Sequence, residues 1–273
     1  LVEVEQRTGS ARTPAEYRNW LDRFLQLVGD PATATPEHVQ AFAYAALPYQ
    51  RTWTDQDGRQ TVRTFDGKAP SPSTVNVRLA AVRSFFDFAQ RMQLLDRNPV
   101  DRVKRPRLPE PTPRGLSADE LRQLLDAVPD TAGGRRDAAI ILTSVLTGLR
   151  RTEVLSLRAG DLEAKNGTLY YRVRTKGGSE RFRELPRPAA AAIRAAGIDV
   201  DQMPADEPLF AISSPGFAKN LQRYAKRAGL QGVTPHVLRH SAAKLRRDTG
   251  ASIEQVSGFL GHKNLATTSR YLA

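Results

Sequence analysis

Between Pro99 and Pro113 the chain carries five prolines, interleaved with Arg102, Lys104, Arg105 and Arg107. Proline lacks an N–H and holds φ at about −65°, so a stretch like this continues neither a helix nor a central strand. Residues 99–115 therefore read as an extended basic linker. It divides the chain into a smaller N-terminal domain, 1–98, and a larger C-terminal domain, 116–273. The basic side chains suit a tether that tracks a phosphate backbone. The plainer alternative is a solvated tether.

Charge points the same way. Lys and Arg total 41 against 29 Asp and Glu, a formal net charge of +12 over 273 residues. Such an excess favours a polyanionic partner, and nucleic acid is the commonest one. There is no cysteine, which excludes disulfide frameworks, thiolate zinc sites and cysteine nucleophiles together. No apolar run is long enough to span a membrane, and Leu1–Glu5 lacks the basic start and apolar stretch of a signal peptide. The expectation is a soluble, cytoplasmic, nucleoid-associated protein with no membrane partner. A start on Leu1 rather than Met is expected of a processed or trimmed chain.

The elements are mainly helical. Thr13-Pro14-Ala15-Glu16 reads as a capping box leading into Trp20, Leu21, Phe24 and Leu25. Thr35-Pro36 opens a second helix carrying Val39, Phe42 and Ala46, and 74–92 forms a third with Leu79, Val82, Phe86 and Ala89 on one face. Residues 48–72 are polar, with Asp57-Gly58 as a hairpin or loop signal. Ser117 and Glu120 cap another helix, and 136–147 is strongly apolar. Thr168–Thr175 alternates and pairs with Arg181–Leu185 across Gly177-Gly178, a β-hairpin whose tyrosines, Tyr170 and Tyr171, are packing residues. Thr234-Pro235 and Ser252 with Gln255 open two more helices. The fold class is mainly α, with a small antiparallel β-sheet in the C-terminal domain.

Several chemistries are unsupported. Gly67-Lys68, the one Gly-Lys pair, lacks the upstream glycine of a phosphate-binding loop, and no Gly-x-Gly-x-x-Gly occurs. No acidic cluster has two-metal spacing. Three of the four histidines, His236, His240 and His262, lie near the C-terminus. His236 and His240 share a helix face at i, i+4, but Val237 stands where a zinc-protease helix needs Glu. From Pro208 to Arg247 there is no acidic residue, while Lys219, Arg223, Lys226, Arg227, Arg239 and Lys244 fall inside. A solvated helical surface mixes signs, so a one-sign stretch fits a polyanion held against it.

Thr147-Gly148-Leu149-Arg150-Arg151-Thr152-Glu153 resembles the first arginine box of the tyrosine recombinases, the phage-integrase family. His236-Val237-Leu238-Arg239-His240 is similar to that family's His-x-Leu-Arg-His box. Leu260-Gly261-His262, with Tyr271 nine residues later, is similar to its terminal pattern. Thr175-Lys176-Gly177-Gly178 matches the setting of its catalytic lysine. The boxes stand in the family's order, and the N-terminal helical domain resembles its core-binding domain, so the resemblance spans nearly the whole chain. It implies a two-domain DNA clamp.

The residue types suit the chemistry. A phosphodiester attacked without a metal needs cations on its non-bridging oxygens, and Arg150 and Arg239 offer planar, permanently charged forks. The resemblance implies Tyr271 as nucleophile, Lys176 as general acid, and His236 and His262 on the phosphate, with His236 as a further candidate base. Glu153 and His240 would orient the site; their plainer readings are a helix-stabilising acid and a buried helix histidine. No metal and no cofactor are implied. The implied partners are double-stranded DNA with a specific site and a homotetramer, or a partner recombinase, on paired sites. Only Leu272 and Ala273 follow Tyr271, where family members carry a further segment that docks on a neighbouring subunit, so a trimmed chain or altered subunit contacts are expected. The rival readings are relaxation of DNA by a type IB topoisomerase-like enzyme and a non-catalytic DNA-binding protein.

Overall fold

The computed structural model describes residues 12–54, 57, 59–108, 114–174 and 180–261. They belong to two compact units, Leu1–Glu110 and Pro111–Ala273.

In the first unit, α1 (Arg12–Val28), α2 (Pro36–Tyr44) and α3 (Pro72–Arg91) share one apolar core. The Phe24 ring meets Phe42 and Phe86 edge-on at 5.4 and 6.1 Å. Helix α2 starts where its signals place it: the Thr35 hydroxyl accepts the His38 N–H, and Pro36 needs no acceptor at the first position. The alternation of Leu79, Val82, Phe86 and Ala89 is a buried stripe, as read from sequence, although Ser71 caps α3 ahead of position 74. Helix α1 already includes Thr13, which is therefore not its cap. Pro14 is tolerated there because first-turn N–H groups have no intrahelical acceptor. Ala46 lies beyond the end of α2.

Two expectations need correction. The sheet in the C-terminal unit is not the only one among the described residues: β1 (Tyr49–Thr54) and β2 (Gln60–Phe65) pair antiparallel within the polar 48–72 stretch. This ribbon is exposed along β2, so no apolar face announced it; the stacked rings of Tyr49 and Phe65, 5.4 Å apart, close its base. The extended linker also begins later than Pro99. Pro99–Arg102 forms a 3-10 turn capped by Asn98, and Val100 and Val103 are buried in the core of the first unit. Proline is compatible with the first position of such a turn, so composition alone could not separate it from an extended strand.

The second unit holds α4 (Ala118–Asp126), α5 (Ala132–Thr147), α6 (Arg151–Leu155), β3 (Leu162–Lys165), β4 (Thr168–Arg174), β5 (Glu180–Glu184), α7 (Arg187–Ala195), α8 (Ser214–Arg227), α9 (Pro235–Asp248) and α10 (Ile253–Leu260). The two strands of the expected hairpin pair antiparallel, with Tyr170 opposite Glu184 and Arg174 opposite Glu180, while its Gly177-Gly178 turn lies outside the described residues. Tyr171 is buried in the core, as a packing residue should be. The sheet has a third strand, in the order β3-β4-β5; Asn166 and Gly167, both with positive φ, turn β3 into β4. Helix α5 begins at Ala132, before the apolar stretch, because Thr131 caps it. Inside the core, the fully buried Asp137 carboxylate accepts from Tyr224 Oη and Asn220 Nδ2, each at 2.8 Å, and so ties α5 to α8. Among the described residues no helix is long and apolar enough to cross a membrane.

Candidate active site

Arg150 is placed by a change of direction in the chain. Helix α5 ends at Gly148, which takes φ +66° and returns its N–H to Ser144 O. A Cβ there would lie 2.8 Å from Phe259 and 2.9 Å from Leu260, so only glycine allows this turn to sit against the end of α10. Leu149 is buried, and Arg150 then stands as the N-cap of α6. Glu153, three residues on, accepts the Arg150 N–H at 2.7 Å with one carboxylate oxygen and its guanidinium at 3.0 Å with the other. The Arg150 side chain is 48% exposed while Glu153 is 14% exposed, so the acid forms a fixed base from which the fork faces outward. Glu153 is thus both a helix-start acid and the partner that aims Arg150.

Helix α9 carries the second box. Thr234 caps it, Pro235 occupies its first position, and Val237, Leu238 and Ala242 bury one face. The chain before α4 docks on it: the Ser241 hydroxyl accepts the Leu116 N–H at 2.8 Å. A Cβ at Gly115 would lie 2.9 Å from Lys244 Cβ and 3.0 Å from His240 O. His236 and His240 stack edge-on with ring centroids 4.5 Å apart, confirming their shared face. His240 is part-buried, whereas His236 is exposed.

Arg239 is only 3% exposed, and its guanidinium joins the other two boxes. Nη1 donates to Gly148 O and Nη2 to Leu260 O, the latter at 2.7 Å. Each carbonyl ends a helix and lacks an intrahelical donor. The residues that follow them in the chain are Leu149-Arg150 and Gly261-His262. One buried cation therefore ties the C-terminal end of α5 to that of α10. Partial desolvation lowers the His236 pKa below the ordinary histidine value, and the nearby Arg239 and Arg150 guanidiniums lower it further. At neutral pH His236 is an uncharged imidazole, able to accept a proton.

Lys176, His262 and Tyr271 lie outside the described residues. The described chain resumes on either side of the first of them, in β4 and β5, and ends with α10 and its Gly261 cap just before residue 262. Among the described residues no group of three or more His, Asp or Glu side chains could hold a metal. Of the basic candidates, Arg102, Lys104, Arg105 and Arg107 are exposed. Lys219, Arg223 and Lys226 recur along α8 at helical spacing, and with Arg227 they are exposed too. Lys244 differs: it is half-buried and pairs with Asp248 at 2.7 Å. Sequence reasoning passed over Arg183 on β5, which donates to the carbonyls of Gly258 and Phe259. Nothing in its spacing marked it, since Arg172, Arg174 and Arg181 surround it.

The model of the phage integrase family matches residues 114–273. The chain belongs to the phage integrase family. Among relatives of this integrase-family chain, the tyrosine recombinase XerC of Shewanella amazonensis is 29% identical, covering 94% of this chain and 92% of its own length. The tyrosine recombinase XerC of Syntrophus aciditrophicus is 32% identical, covering 73% of this chain and 69% of its own. In fold, the chain is similar to a lambda integrase (75–356) dimer bound to a COC′ core site, with a TM-score of 0.71 at 16% identity, covering 99% of this chain and 93% of that one. This phage integrase family member is accordingly a tyrosine recombinase, an enzyme that cleaves and rejoins DNA strands at specific sites.

Proposed function

We propose that Arg150, Lys176, His236, Arg239, His262 and Tyr271 form the catalytic set of this recombinase, with Glu153 and His240 supporting them. The observation that carries this reading is the pair of hydrogen bonds that Arg239 donates to Gly148 O and Leu260 O, which joins three boxes far apart in sequence around one cation. A guanidinium has five N–H groups, enough in number for two carbonyls and a phosphate. Arg150 supplies a second, outward-facing fork. Together they neutralise charge growing on the non-bridging oxygens.

The Tyr271 phenol oxygen attacks phosphorus and gives its proton to neutral His236. A 3′-phosphotyrosyl bond forms as the bond from phosphorus to the 5′ oxygen breaks. Lys176 protonates that leaving oxygen, and His262 hydrogen-bonds the phosphate. The 5′ hydroxyl of a partner strand then attacks the phosphotyrosyl bond and releases the tyrosine. The energy of the phosphodiester is kept in the enzyme–DNA bond, so the cycle needs no nucleotide. The DNA partner is a duplex with a specific site, held by phosphate contacts from Arg102, Lys104, Arg105 and Arg107 and from Lys219, Arg223, Lys226 and Arg227. Lys244 contributes less because Asp248 already answers its charge. Exchange takes place in a tetramer of this chain, or with a partner recombinase, on paired sites in the nucleoid.

Covalent capture tests the assignment. The protein is incubated with a plasmid or genomic DNA pool in EDTA, and the DNA bound to it covalently is sequenced. Adducts at a recurring site, absent from Tyr271→Phe, are expected. Adducts formed equally by that variant would remove Tyr271 from the mechanism, and scattered adducts would favour a relaxing enzyme.

A further inference from the structure

The last turn of α10 is held from outside at three successive carbonyls. Leu260 O accepts from Arg239, while Phe259 O and Gly258 O accept from Nη1 and Nη2 of Arg183, at 2.7 and 3.1 Å. These groups have few donors within the helix and form the negative end of its dipole, so cations suit them. The Arg183 guanidinium also lies 5.7 Å from the Phe259 ring centroid, and Arg246 from α9 lies 3.7 Å from the same ring.

Arg183 belongs to β5, an edge strand that pairs with β4 and begins soon after position 176. Its other ties run to β4, through the strand ladder and the Arg172–Glu180 ion pair at 3.9 Å. Phe182 is 58% exposed and Glu184 is exposed, and the next deeply buried residue is Leu185, beyond the strand end. The hairpin that flanks Lys176 is thus tied through Arg183 to the helix that leads into His262 and Tyr271. A lysine in its place has the charge but lacks the fork that reaches two carbonyls.

We propose that Arg183 is a positioning residue for the reaction: it holds β5 on the last turn of α10 and so couples the strands on either side of Lys176 to the helix that precedes His262 and Tyr271. This rests on the assignment of Lys176 and Tyr271 given above. Helix α10 keeps its second anchor, Arg239, when Arg183 is lost, so the loss falls on β5 more than on α10.

The test compares two substrates in single-turnover adduct formation at saturating DNA. One is ordinary DNA; the other carries sulfur in place of the bridging 5′ oxygen, and a thiolate departs without a proton. Arg183→Ala is expected to slow adduct formation about 10- to 100-fold on ordinary DNA and less than about threefold on the sulfur substrate. Arg183→Lys should fall between wild type and Arg183→Ala. DNA affinity and melting temperature are measured alongside, because a purely structural loss would not depend on the leaving atom. A rate within about threefold of wild type on ordinary DNA, or an equal loss on both substrates, overturns the proposal. Lys176→Ala and Tyr271→Phe run in parallel. Equal loss on both substrates in Lys176→Ala would sink the acid assignment and the proposal with it, whereas a leaving-atom preference in Lys176→Ala without one in Arg183→Ala would overturn the proposal alone. Adducts in Tyr271→Phe would sink the nucleophile assignment alone.

Discussion

Each unit buries an arginine among backbone carbonyls, and the two do different jobs. Arg78 in the first unit is 4% exposed and donates to Phe42 O, Ala43 O and Ala45 O, all at the end of α2. Its guanidinium lies 4.7 Å from the Trp20 ring centroid, and burial, with Arg23 nearby, lowers its pKa. Arg239 in the second unit is buried as deeply, yet its two carbonyls end different helices. The chain after each of those carbonyls runs directly into a motif residue, Arg150 or His262. Burial of a cation therefore says nothing about function by itself. What separates the two is where the chain goes after the carbonyls they hold.

Removing each arginine should break that symmetry. Arg239→Ala is expected to slow strand cleavage by on the order of 10²-fold or more, by the scale of a lost oxyanion donor, and to leave DNA binding largely intact. Unchanged single-turnover rates would return Arg239 to a role like that of Arg78. For Arg78→Met the expected loss is in stability instead. Three carbonyls lose their donor, at about 1–3 kcal/mol for a buried group left unsatisfied, and the cleavage rate of the folded protein at saturating DNA should hold. Denaturant unfolding and the same kinetic assay separate the two outcomes.

A smaller effect sharpens the picture around Arg150. Glu153→Gln keeps an acceptor for the Arg150 N–H but weakens the ion pair, and a rate loss of about tenfold is expected because the pair is partly shielded from solvent. Full activity in that variant would leave Glu153 as a helix-start acid only.

The smallest effect is a titration. His236 has a pKa below that of the unfolded chain, so the unfolded state binds its proton first as pH falls. Its contribution to stability is complete above the unfolded value and declines as pH drops through that value toward the folded one. Arg150→Gln removes one of the two cations that depress it, so the His236 ring resonances should titrate at higher pH, and the acid limb of the cleavage rate should move up with them. A ring titration unmoved by that variant would mean that desolvation and Arg239 alone set the shift.

Most cap signals held, although Thr13 proved to lie inside α1. Thr35, Ser117, Thr234 and Ser252 cap the helices that they were expected to cap, because a side chain three residues from its acceptor needs no distant partner. Other features were legible but overlooked: Asn166-Gly167 is a strong hairpin signal, and it turns β3 into β4. The 3-10 turn at Pro99 had no local signature, because it depends on Val100 and Val103 finding the first unit's core. The ribbon of β1 and β2 was marked only by the Asp57-Gly58 signal, since it lacks a buried face.

The sequence by itself determined the order of the boxes, the residue types that suit a metal-free attack on phosphorus, and most helix starts, since all of these are matters of spacing and covalent chemistry. Only the tertiary arrangement brings Arg239 to the ends of two other helices and Arg183 to the last turn of α10. Those outcomes depend on which carbonyls and charges lie within a few ångströms across gaps of 21 to 91 residues, and distance along a chain does not encode distance in space.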